Sequence, residues 1–313
     1  MIEPVSDAIG RLRDNIASVF IGHPGASDQV IAALIAGGHV LLEDVPGVGK
    51  TVLATAIARS VDCDFARVQL TPDMLPSDLI GVSVFDRNTG EFTLKRGPVF
   101  TNILLADEIN RTSPRTQTAL LEAMNEAQVS IDGNEIPLTP PFMVIATQNP
   151  HDFEGTYPLP ENQLDRFLMR LSIGYPPRED EIRVLELRPA LNELPDLKPV
   201  LTRDELLELQ RKASEVRLDR SLIEYIVEFA RATREHEDLR VGLSPRGALA
   251  LAQAARATAL IAGRDYVIPE DVIDCIEPVC AHRVFTRQGS WRTGSHDAAA
   301  ILEAIRSSVA TPA

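Results

Sequence analysis

The sequence predicts an α/β protein, a mostly parallel and doubly wound sheet followed by a small all-helical domain. Short apolar runs alternate with helix-like stretches through the first 175 residues, a glycine-rich loop joins one such run to a helix, and from Thr202 onward strand signals nearly vanish. With 313 residues and 44% hydrophobic composition, the chain has enough apolar material for a buried core. The pattern divides it into an α/β core over 1–175, a linker over 176–200 and a helical domain over 201–313.

Ser6 stands before Ile9, Leu12, Ile16 and Val19, a helical rhythm with a capping residue in front. A second helix is expected over 27–36. After Gly37 and Gly38 the run His39 to Leu42 reads as a short buried strand, and it leads through a glycine-rich loop to a helix over 52–60. Further buried strands are expected over 65–70, 102–106 and 142–147, with helical stretches between them. Two hairpins are inserted: 82–85 and 91–94 flank Asn88-Thr89-Gly90, and 129–131 and 135–136 flank Asp132-Gly133-Asn134. Tyr175-Pro176-Pro177 and the stretch from Pro189 to Pro199 punctuate the chain. Four helices should follow, over 204–216, 221–234, 245–262 and 269–284.

A formal net charge of -14 sets the averaged field against phosphate backbones and anionic lipid, so nucleic-acid binding is not expected. The least polar long stretch, Ala248 to Gly263, contains Gln253 and Arg256 and reads as a packed helix, so no membrane insertion is expected. Cys63, Cys275 and Cys280 form no CxxC pair, which leaves neither a disulfide framework nor a zinc site. Met1 to Arg13 lacks the basic-then-apolar order of a secretory signal, and a cytoplasmic location fits these features.

Chemistry concentrates at Pro46-Gly47-Val48-Gly49-Lys50-Thr51, with Val52 completing the expected nucleotide contact. Glycines let successive N–H groups turn toward phosphates, Lys50 would neutralise the β and γ phosphates of ATP, and the Thr51 hydroxyl would ligate Mg²⁺. The pattern GxxxxGK followed by Ser or Thr wants glycine at position 44, where Asp44 stands. The apolar run Ile103 to Ala106 ends in Asp107 and Glu108, which brings two carboxylates to the carboxyl edge of the sheet. There Asp107 would hold Mg²⁺ through water and Glu108 would orient or deprotonate the attacking water. Asn149 follows a third strand; its amide suits the γ-phosphate or the lytic water, although alone an Asn before Pro150 is a turn residue. Arg166, in Leu164-Asp165-Arg166-Phe167, and Arg246, after a capping Ser244 and Pro245, could stabilise a transferring phosphoryl group. For an isolated arginine a surface ion pair is the ordinary account, and spacing leaves that account standing.

The order of these motifs resembles the MoxR family of AAA+ ATPases, through Leu41 to Thr51, Gly97 to Phe100, Leu105 to Arg111, Leu120 to Met124, Ile145 to Pro150, Glu154 to Pro160, Leu164 to Phe167 and Ser244 to Arg246. The resemblance implies an AAA+ core with a helical lid, nucleotide between them, and homo-oligomeric rings, commonly hexameric, with active sites at subunit boundaries. It implies that Asn149 is the sensor-1 residue, Arg166 the arginine finger and Arg246 the sensor-2 arginine, and that the hairpins are the helix-2 and pre-sensor-1 inserts. Asp44 is familiar in that family, and the backbone near Val19 to Gly22 is expected at adenine. It further implies a partner with a von Willebrand factor A-type domain and protein clients whose remodelling or cofactor maturation the ring assists.

The leading function is therefore ATP-driven remodelling of proteins. A nucleotide-controlled scaffold with hydrolysis as a timer shares the same binding residues, and a DNA motor is disfavoured by the acidic balance. His236-Glu237-Asp238 reads as a solvated charged face, Arg111 and Arg115 as exposed ion-pairing residues, and Trp291 as a packing residue.

Overall fold

Five short apolar segments can bury both faces only by lying side by side under helices, and that is how the chain arranges them. The computed structural model describes residues 3–88, 90–150, 156–192, 194–287 and 294–312. The strands are β1 (Val40–Glu43), β2 (Phe65–Gln69), β3 (Ile103–Asp107), β4 (Met143–Gln148) and β5 (Met169–Leu171), in the order β5-β1-β4-β3-β2. All four pairings are parallel. The strand after β1 crosses to the far edge, and the chain returns through β3 to β4 beside β1. The carboxyl end of β1 therefore opens beside that of β4, where an open α/β sheet binds its ligands.

Period-2 alternation splits the core between the two faces. Val40, Leu42, Ile103, Leu105 and Ile145 point to one side, under α1 (Glu3–Val19), α2 (Pro24–Ile35) and α3 (Lys50–Ser60). Leu41, Leu104, Ala106, Val144 and Ala146 point to the other, where α4 (Pro114–Glu126) contributes Leu120, Leu121 and Met124. The two expected hairpins form as Gly81–Asp86 with Glu91–Arg96 and Gln128–Ile131 with Asn134–Pro137. Thr89, in the first turn, lies outside the described residues.

Residues 176–200 include a helix, α5 (Arg178–Leu187), and a second helical turn at Pro189–Asn192. The helical domain follows as α6 (Arg203–Glu215), α7 (Arg220–Glu235), α8 (Pro245–Ile261), α9 (Pro269–Cys280) and α10 (Gly294–Ser308). Ser244 accepts the Gly247 N–H at 3.1 Å and caps α8 as the sequence suggests. Leu206, Leu209, Ile226, Phe229, Leu251, Leu260 and Ile276 join the same apolar cluster as α1 to α3, so the helical domain and that face of the sheet share one interior.

Several elements differ from the sequence reading. Helix α1 begins at Glu3, so Ser6 lies inside its first turns and is not the cap. Three-residue β5 has no period long enough to announce it, and α10 was not expected at all. Leu239–Val241 and Phe285–Thr286 form a small antiparallel pair in the helical domain. Cys275 and Cys280 are buried free thiols, Cys63 is half-buried, and among the described residues no three or more His, Cys, Asp and Glu side chains cluster as a metal site. Among those residues no helix is long and apolar enough to cross a membrane. Trp291 lies outside them.

Candidate nucleotide site

β1 ends at Glu43, and the chain turns through 44–49 into α3. The turn is possible because Gly47 and Gly49 take φ of +90° and +95°, a region where a side chain is strained. Gly49 is the residue before the first turn of α3. A helix start leaves its N–H groups without intrahelical carbonyls and carries the positive end of the helix dipole, so this loop presents donors to an anion. Lys50 Nζ bends back over the loop and donates to the carbonyls of Asp44 and Val45, the latter at 3.0 Å.

The two residues expected at a metal come together. Thr51 Oγ1 donates to Asp107 Oδ1 at 3.4 Å across the gap between α3 and β3. Asp107 is buried, and the same oxygen accepts Thr147 Oγ1 from β4 at 3.1 Å. Its other oxygen accepts Arg67 Nε from β2 at 2.8 Å. A hydroxyl beside a buried carboxylate is a hard oxygen donor set that fits Mg²⁺.

Glu108 takes φ 59° and ψ 53°, an uncommon conformation for a residue with a side chain and one that collects at functional sites. Its N–H donates to Thr147 Oγ1 at 3.0 Å, while Oε2 accepts Gln69 Nε2 at 2.7 Å and lies 3.1 Å from Arg111 Nε. Arg111 is thus the ion-pairing residue that the sequence suggests, with Glu108 as its partner. Asn149 directly follows β4, and its carbonyl accepts Asn110 Nδ2 at 3.2 Å.

The arginines lie elsewhere. Arg166 donates to the Leu121 carbonyl of α4, and Arg246 Nη2 donates to Asn125 Oδ1 at 2.9 Å, with its Nε 3.7 Å from Asp165 Oδ2. The Leu168 N–H donates to the His39 carbonyl at 2.8 Å, and Met169 pairs with Val40, the first residue of β1. Arg166 and Arg246 therefore gather near the amino edge of the sheet, while the glycine-rich loop leaves its carboxyl edge.

Beside the loop lies a cavity of about 600 Å³. Val19, Phe20 and Ile21 form one wall, at the position expected for adenine. Tyr175, Pro176, Val184 and Leu185 form another; the sequence marks Tyr175 and Pro176 only as a break in regular structure, and Val184 and Leu185 fall in the segment read as linker. Arg67, Gln69 and Thr147 were missed as well. Their signal was faint but present: Arg67 and Gln69 alternate along β2 beside the paired acids, and the register sets Gln69 opposite Asp107.

Residues 39–169 match the ATPase family associated with various cellular activities (AAA), and residues 231–305 match the AAA lid domain. A Chaperone MoxR1 of Mycobacterium tuberculosis is 43% identical over 86% of this chain and 73% of its own. Protein MoxR of Methylorubrum extorquens is 30% identical over 91% and 90%. This chain belongs to the MoxR family of AAA+ ATPases. The uncharacterized protein YeaC of Bacillus subtilis is 47% identical over 99% of this chain and 97% of its own. The crystal structure of a candidate ATPase from Cytophaga hutchinsonii superposes on this MoxR-family chain with a TM-score of 0.89 and 36% identity, covering 100% of this chain and 97% of that one. Family membership carries ATP binding, ATPase activity and a chaperone-type role in general terms.

Proposed function

We propose that this MoxR-family chain forms rings, hexameric as is common in AAA+ proteins, and uses Mg-ATP hydrolysis for chaperone-like remodelling or metal-cofactor maturation of protein clients. The observation that carries the reading is the convergence of Lys50, Thr51 and Asp107 at the carboxyl edge of the sheet, with Thr51 Oγ1 and Asp107 Oδ1 3.4 Å apart. The main chain from Pro46 to Val52 binds the phosphates, with Lys50 leaving its loop carbonyls for the β and γ oxygens. Thr51 and, through water, Asp107 would hold Mg²⁺, which would neutralise charge on those oxygens. Glu108 orients the attacking water and accepts its proton, and Asn149 aligns that water from the end of β4. Val19 to Ile21 and the Tyr175 wall take the base.

Arg166 and Arg246 act on a neighbouring copy's triphosphate, since both sit at the edge of the sheet opposite their own loop. A protein with a von Willebrand factor A-type domain is the partner class that the family suggests. The net charge of -14 favours a protein client over nucleic acid.

Glu108→Gln tests the assignment: ATP binding should survive while turnover falls by roughly 100-fold or more. Undiminished turnover removes Glu108 from its role. Mixing wild-type subunits with Arg166→Ala/Glu108→Gln subunits should give turnover that departs from a linear dose, and a linear response excludes catalysis across the boundary.

A further inference from the structure

Asp44 occupies a place where phosphate loops ordinarily have glycine, and the structure gives its side chain a task that glycine cannot perform. The parallel pairing of β1 with β5 ends at Leu42 opposite Leu171. Two residues further along, the Asp44 carboxylate takes over from the backbone ladder. Its Oδ2 accepts Ser172 Oγ at 2.8 Å, the Ile173 N–H at 2.9 Å and the Gly174 N–H at 2.7 Å, and its Oδ1 accepts the Val45 N–H at 2.7 Å. Partial burial works against the charge, but the hydrogen bonds from Gly174, Ser172, Val45 and Ile173 outweigh it and hold the carboxyl below its usual range.

The segment so fixed runs straight into Tyr175 and Pro176 and then into α5, which line the cavity beside the glycine-rich loop. Asp44 itself does not line that cavity. One carboxylate thus joins the start of the phosphate loop to the start of the far wall.

We propose that Asp44 is a positioning residue that sets the distance between the phosphate loop and the Tyr175 wall, and so makes a nucleoside triphosphate bind better than a bare triphosphate. The inference rests on the nucleotide reading of the cleft given above. It assigns Asp44 no contact with the ligand: the effect passes through Ser172, Ile173 and Gly174.

The test compares Mg-ATP with Mg-tripolyphosphate, titrated by calorimetry against the full chain and its Asp44→Gly, Asp44→Asn and Ser172→Ala variants. Asp44→Gly removes four charge-assisted bonds and should weaken ATP roughly tenfold or more while changing tripolyphosphate less than about twofold. Asp44→Asn keeps one oxygen for the Ser172, Ile173 and Gly174 donors and should recover part of the ATP affinity. Ser172→Ala, which leaves the loop untouched, should show a smaller loss with the same selectivity. Amide exchange at Ile173 and Gly174 should quicken in Asp44→Gly without any ligand.

Equal losses for both ligands would make Asp44 an ordinary brace of the phosphate loop and overturn the proposal, as would unchanged ATP affinity in a variant whose Ile173 and Gly174 exchange faster. Failure of the wild-type chain to bind either ligand overturns the nucleotide reading itself. Tripolyphosphate binding as tight as that of ATP in the wild-type chain overturns only the role of the wall.

Discussion

The two edges of the central sheet are built to opposite specifications. At the carboxyl edge Lys50, Thr51 and Glu108 are only half-buried: Thr51 reaches Asp107 at 3.4 Å, Lys50 rests on its own loop, and Glu108 stands in a strained conformation shared between Gln69 and Arg111. At the amino edge the polar groups are buried and locked. His39 accepts the Val144 N–H at 3.0 Å and donates to the Met124 carbonyl at 2.9 Å. Arg283, on the chain leaving α9, bonds Asp165 at 2.8 Å, the Phe167 carbonyl at 2.6 Å, the Leu168 carbonyl at 3.0 Å and the Val279 carbonyl. The first edge can exchange partners with a ligand at little cost, whereas the second ties the helical domain to the segment that carries Arg166.

That contrast breaks most visibly at Arg283. Arg283→Met leaves Asp165 and three main-chain carbonyls without their buried cation, and thermal or urea unfolding should show a loss of about 3–5 kcal/mol. A loss below about 1 kcal/mol, the range of exposed pairs, would remove the distinction between the edges.

The next effect is pH-dependent. Burial lowers the His39 pKa from 6.5 to about 4, with its bond to the Met124 carbonyl opposing the shift. The unfolded chain therefore takes up the proton first, so the contribution of neutral His39 is complete above pH 6.5 and is lost as pH falls toward 4. Between pH 7 and pH 5 the loss is about 2 kcal/mol, and the stability gap between wild type and His39→Gln should narrow by that amount. A gap independent of pH would show that His39 is not held neutral.

The smallest effect on stability belongs to the other edge. Thr51→Ala should move the unfolding midpoint by less than about 1 kcal/mol, because the bond it removes is long. Turnover should nevertheless fall at least about tenfold, with a raised requirement for Mg²⁺. Equal sensitivity of fold and turnover would blur the two edges into one.

Local signals made the first edge legible. The run into Gly47 and Gly49, the lysine and hydroxyl after it, and the acids ending an apolar strand each declare themselves within a few residues. Arg67, Gln69 and Thr147 did not, because their meaning depends on which strands lie side by side. β5 escaped for a related reason: three residues carry no period, and its place depends on the His39 carbonyl at one end and the Asp44 carboxylate at the other. The α5 wall was hidden by the prolines around it, whose fixed φ marks a break in regular structure but also suits the first turn of a helix. The motif at Glu154-Gly155 lies outside the described residues.

The interior shared by α1 to α3 and the helical domain has a mechanical consequence. A swing of the helical domain away from the sheet's helices would open the packing of α6 and α8 on α1 and α2, so the burial of that interior opposes such a motion. The shared interior thus favours motion of the subunit as one body over bending between its two halves. Severing the chain near residue 200 would accordingly not release a tidy appendage but leave two sticky, incomplete halves.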